Sequence, residues 1–97
     1  MFSDNLRRIL RLKLVHQAEF ARQMGVSRQT VNKWCNGEMP SMARLSTIAD
    51  ALGCSVDDLL MDKKSDLDWE LWGIYNDFDD DKKRMLLDYA RFLRSKS

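Results

Sequence analysis

The chain has 97 residues, 44% of them hydrophobic, enough for one compact core and a short appendage. Its net charge of +1 conceals a gradient: residues 1–56 hold eight Lys/Arg against four Asp/Glu, and residues 57–97 hold eight against eleven. These bounds argue against an enzyme with a lid and cofactor cleft, and two cysteines without CxxC spacing plus one histidine, His16, are too few for a metal centre.

No apolar run of about 18 residues occurs, and the opening MFSDNLRRIL lacks the apolar segment of a secretory signal. A cytoplasmic protein with no membrane partner and no cofactor is therefore expected. Apolar residues recur every three or four positions and strict alternation is absent, so the expected fold is all-α. A first helix is expected after Ser3 as N-cap, with Asp4 in its first turn, running to about Lys13 with Leu6, Ile9 and Leu10 inward. The second takes Gln17 to Met24, burying Phe20, Ala21 and Met24, and stops at Gly25. Ser27 caps a third, from Arg28 to about Cys35, with Val31, Trp34 and Cys35 inward. Pro40, the only proline, marks a break, and a fourth helix follows Ser41 to Leu52 with Leu45, Ile48, Ala49 and Leu52 on one face. Ser55 and Asp58 have capping-box spacing for a short fifth helix ending near Met61. Asp62 to Ser65 reads as a polar linker. Residues 66–78 and 80–94 form two further helices, the last begun by Asp79, Asp80 and Asp81, which suit a helix N-terminus better than a metal site.

The informative segment is QAEFARQMGVSRQTVNKWCNG, Gln17 to Gly37. Two short helices joined by a Gly-containing turn push the second one outward, and a DNA major groove, about 12 Å wide, admits one such helix. With Val31, Trp34 and Cys35 facing in, the outer face shows Arg28, Gln29, Thr30, Asn32, Lys33 and Asn36. All are hydrogen-bond donors and none is acidic, whereas an ordinary exposed helix mixes in Glu and Asp for ion pairing. Arg, Gln and Asn can make bidentate contacts to guanine and adenine edges. The basic front half suits the same polyanionic partner, double-stranded DNA.

Gln17, Phe20-Ala21, Gly25-Val26-Ser27, Val31, Trp34, Gly37, Pro40, Leu45, Ile48-Ala49, Ala51-Leu52-Gly53 and Leu59-Leu60 keep a spacing by which the chain resembles the XRE family of helix-turn-helix regulators. That family is typified by the repressors and Cro proteins of lambdoid phages. The resemblance covers about Leu6 to Leu60. It implies a five-helix lambda-repressor-like DNA-binding domain, residues 1–62, with Gln17 beside a DNA phosphate. Arg28, Gln29, Asn32 and Lys33 would face bases or phosphates, and Thr30, Asn36 and the loop up to Arg44 would contact the backbone. Many members pair an arginine of helix 1 with a glutamate before the loop. Those positions here are Leu10 and Cys35, a joint loss that removes both charges together. The loop from Gly37 to Pro40 is one residue shorter than common examples. His16 stands where the family has a Ser or Thr cap, and it reads as a weak cap or phosphate neighbour.

Such a domain is complete by about Met61, which leaves residues 63–97 as a C-terminal extension of two additional helices. Leu67, Leu71, Ile74 and Phe78 line one, with Trp69, Trp72 and Tyr75 widening the stripe; Met85, Leu86, Tyr89, Phe92 and Leu93 line the other. Two short helices cannot bury that much surface against each other, and the expectation is a homodimer formed through Leu71, Trp72, Ile74, Tyr89, Phe92 and Leu93. Packing on the chain's own domain and a different protein partner are the alternatives. The expected function is a dimeric repressor of a bacterial or prophage operator carrying an inverted repeat. The competing reading is an antitoxin that masks a toxin protein and regulates its own operon.

Overall fold

The computed structural model describes residues 2–62 and 65–96. Lys63 and Lys64, inside the expected linker, lie outside the described residues. Seven helices and no strand occur among the described residues: α1 (Phe2–Leu12), α2 (Gln17–Met24), α3 (Arg28–Cys35), α4 (Met42–Leu52), α5 (Val56–Leu60), α6 (Asp66–Asp77) and α7 (Asp80–Ser95). The chain forms two compact units, Met1–Lys63 and Lys64–Ser97.

In the first unit each helix is short and exists because one face is buried. Leu6, Ile9 and Leu10 of α1 join Phe20 and Ala21 of α2, Val31, Trp34 and Cys35 of α3, Leu45, Ile48, Ala49 and Leu52 of α4, and Leu59 of α5 in one core. Met24, expected inside, is half-buried at the end of α2. Local chemistry sets most boundaries. Ser27, Ser41 and Ser55 each accept a hydrogen bond from the backbone three residues on, and Ser55 with Asp58 completes a reciprocal capping box. Gly53 ends α4 in the left-handed conformation.

The start of α1 departs from expectation. Ser3 is not its N-cap; the helix begins at Phe2, whose side chain is buried, and Ser3 turns its hydroxyl to the carbonyl of Trp34, 2.6 Å away. A long-range acceptor has displaced the local cap. Asn5, the one buried polar residue among the described residues, donates to the carbonyls of Leu59 at 2.9 Å and Met61 at 2.7 Å, tying α1 to the end of α5.

In the second unit Ser65 and Asp79 cap α6 and α7, accepting from Asp68 N at 3.2 Å and Lys82 N at 2.8 Å. Trp69 is buried and meets Trp72 edge-on, ring centres 5.9 Å apart. The ammonium of Lys83 lies 4.8 Å from the centre of the Tyr75 ring, linking the two helices by a cation–π contact.

The turn after α1 is closed by Val15 N–H to Leu10 O and Leu14 N–H to Arg11 O, with Leu14 at φ 59°. That left-handed position normally takes glycine, because a Cβ there costs about 1–2 kcal/mol. Leu14 is also 86% exposed, so packing returns little. Leu14→Gly should therefore stabilise the protein by about 1 kcal/mol, after allowing for the greater chain entropy of glycine. Denaturant melts of the two proteins check this; a lower midpoint for the glycine variant contradicts it.

Candidate nucleic-acid interface

The α2–turn–α3 unit is built by two backbone devices. Gly25, at φ 70°, lets its own N–H reach Arg22 O at 3.2 Å and that of Val26 reach Ala21 O at 3.0 Å, ending α2 sharply. A Cβ at Gly25 would meet nothing within 4 Å, so glycine is required by the dihedral and not by crowding. Two residues later Ser27 starts α3, accepting from Thr30 N at 3.1 Å. Val31, Trp34 and Cys35 then bury one side of α3 and leave the other to solvent.

On that outer side Gln17, Arg28, Gln29, Asn32 and Lys33 line one open concavity of about 540 Å³. Gln17 comes from the first turn of α2 and the rest from α3, so the turn has joined residues 11 or more positions apart. The lining holds two cations and no acid. The other expected contacts stand outside the concavity. Thr30 is half-buried, its hydroxyl 2.9 Å from that of Ser27 within the cap. Asn36 folds back on Asn32, donating to its carbonyl at 2.7 Å and its side-chain oxygen at 3.1 Å. Arg44 is exposed in the first turn of α4, its N–H bonded to Ser41 Oγ at 3.3 Å. His16 precedes α2 without making a side-chain cap. It lines a second recess with Arg7, Leu10, Arg11, Leu14, Val15 and Gln17, so Gln17 borders both hollows.

Of the residues expected to form an interface between copies, Leu71, Ile74, Tyr89, Phe92 and Leu93 are exposed and Trp72 is half-buried against Trp69. Tyr89 and Phe92 stack with centres 6.3 Å apart, and none of the residues of α7 is buried. Two contributors near α3 were not anticipated from the sequence, Ser3 and Arg7. Arg7 donates from Nη1 to the carbonyl of Cys35 at 2.7 Å and pairs with Asp4 through Nη2. The family arginine position, Leu10, is buried, so α1 reaches the end of α3 from one turn earlier.

Among the described residues no group of three or more His, Cys, Asp or Glu could hold a metal ion, and no helix is long and apolar enough to cross a membrane. A family model for the Cro/C1-type HTH DNA-binding domain matches residues 5–65. Neither a curated protein nor a solved structure gives a significant match.

Both thiols are held in the protonated form. Burial raises Cys35, opposed by Arg7; for Cys54 burial acts first and Asp58 adds to it against Lys13, pushing the thiol up to about 11 from 9.0. A folded-state value above the unfolded one means that the native protein holds its proton longer. Stability should accordingly fall as pH rises from about 9 to about 11, and be flat below that window as far as Cys54 is concerned. Denaturant midpoints measured from pH 8 to 11 should decline less steeply in Cys54→Ala than in the parent; identical slopes contradict the assignment.

Proposed function

Since the chain belongs to the Cro/C1-type HTH DNA-binding family, and is a DNA-binding transcriptional regulator on that ground, we propose that it acts as a dimeric repressor of an inverted-repeat operator. It would work in the cytoplasm, by occupancy and without catalysis. The observation that carries this reading is the acid-free concavity in which Gln17, Arg28, Gln29, Asn32 and Lys33 converge. Helix α3 is the recognition helix. Arg28, Gln29 and Asn32 read base edges, Lys33 and Gln17 hold phosphates, and Thr30, Asn36 and Arg44 lie along the flanking backbone.

The dimer follows from the arithmetic of recognition. One such domain reads about four or five base pairs, too few to single out a site among the ~10⁶ or more competing sites of a genome. A two-fold dimer doubles the sequence read and sets half-sites about 34 Å apart, one turn of DNA. The reading is supported by the exposed apolar residues of α6 and α7, Leu71, Ile74, Tyr89, Phe92 and Leu93 with the half-buried Trp72, which offer a surface for a second copy. The same surface would serve an antitoxin, whose partner is a toxin protein rather than a second copy.

Selection of bound sequences from a random DNA pool tests the DNA reading. Against the best recovered site, Arg28→Ala and Gln29→Ala should each cost about 1–3 kcal/mol and relax preference at one or two positions, while Gln17→Ala weakens all sites alike. Unchanged affinity and preference in the first two would refute the role of α3. Sedimentation of the full chain at micromolar concentrations should give a dimer mass that Tyr89→Asp with Phe92→Asp converts to monomer. A strictly monomeric parent would remove the dimer and favour the toxin-binding reading.

A further inference from the structure

A helix leaves its last four carbonyls without helical partners, and in α3 those are Asn32, Lys33, Trp34 and Cys35. Each accepts a donor from elsewhere. Asn32 O receives Asn36 Nδ2 at 2.7 Å; Lys33 O receives the backbone of Asn36 at 3.1 Å and of Glu38 at 3.0 Å. Trp34 O takes the hydroxyl of Ser3 at 2.6 Å, and Cys35 O takes Arg7 Nη1 at 2.7 Å. Two of the four are thus closed by side chains of α1, from residues 28 and 31 positions away. Asn36, the C-cap, sits at φ −115°, and the positive φ that Gly25 and Gly53 supply directly after α2 and α4 comes one residue later here, at Gly37 (φ 113°). The chain's own turn therefore closes only Asn32 O and Lys33 O and leaves Trp34 O and Cys35 O to α1.

On the reading of α3 as the recognition helix, we propose that Ser3 and Arg7 are positioning residues for DNA sequence discrimination. Spaced i, i+4, they stand on one side of α1 and grip the C-terminal end of α3. The guanidinium also complements the negative end of the helix dipole. Asp4 holds Arg7 from its own helix and offsets its charge, so the arginine adds little to attraction for phosphate. Contacts from Asn32 and Lys33 to DNA depend on the angle at which this end of α3 is held. Loosening the grip blurs directional base contacts and spares the non-directional attraction to the backbone.

The test uses the full chain and two duplexes of equal length, one recovered by selection with the parent protein and one of scrambled sequence. Arg7→Met should reduce preference for the selected duplex about three- to tenfold, the range for a half-exposed charge-assisted hydrogen bond. Affinity for the scrambled duplex and the salt dependence should stay as in the parent. Arg7→Lys should recover part of the preference, since an ammonium can still donate to Cys35 O. In the free protein, amide exchange at Asn36 and Glu38 should quicken in Arg7→Met. If that variant does not fold, Ser3→Ala makes the same comparison through Trp34 O. Equal weakening on both duplexes with a shallower salt slope would make Arg7 a phosphate ligand and overturn the proposal. A folded Arg7→Met protein with unchanged preference would overturn it too, by reducing the grip to general stability. A parent that prefers no DNA sequence would bring down the reading of α3 itself, a failure separable from the others because it appears before any substitution.

Discussion

Everything in the first unit depends on holding an eight-residue helix that could not persist alone. Helices shorter than about 12–15 residues are marginal in water, because nucleation fixes several dihedrals for one hydrogen bond. Helix α3 has two turns. Its existence is secured by burial of Val31, Trp34 and Cys35 on one side and by closure of both ends, Ser27 at the start and five donors on the last four carbonyls at the finish. This arrangement leaves the side chains of Arg28, Gln29 and Lys33 without a structural duty, while that of Asn32 also accepts from Asn36. The first three are free to serve a ligand because the opposite face carries the fold.

What could be read in the sequence follows the range of the interaction. Gly25, Ser27, Ser41, Gly53 and the Ser55–Asp58 box act within four residues, so the composition of a short window announces them, and α2, α3 and α4 have the expected limits. The apolar spacing predicted the core, with Met24 only half inside. Ser3 shows where such reasoning stops: a serine before an acidic residue has the local signature of a cap, yet its hydroxyl goes to Trp34 O. No window of sequence contains both atoms. Arg7 and Asn5 share this character, their acceptors lying 28 to 56 positions away. Leu14 was hidden for another reason, since it occupies a left-handed position where glycine would have marked the turn.

The second unit shows the same division. Its helices begin where Ser65 and Asp79 cap them, and Ser65 could be read only as linker because a single serine among polar residues is a weak signal. The stripe Met85, Tyr89, Phe92, Leu93 at i, i+4, i+7 and i+8 specifies a helix and the side on which it is apolar. It does not name what that side meets. Helical periodicity is a property of one helix, whereas complementarity is a property of two surfaces brought together.

Helix α1 emerges as more than a wall of the core. Ser3 and Arg7, one turn apart, point to the end of α3, and Asn5, on the other side of the helix, holds the carbonyls of Leu59 and Met61 where α5 ends. The first two turns of α1 thus bind both the end of α3 and the point at which the chain leaves the first unit. A buried amide with two acceptors is directional in a way that apolar packing is not, and replacing it by a hydrocarbon would orphan two carbonyls. Apolar contacts between α1 and its neighbours would tolerate a slide or a small rotation. Three polar side chains aimed in opposite directions do not, so the core supplies the attraction between these helices and residues 3, 5 and 7 supply the register.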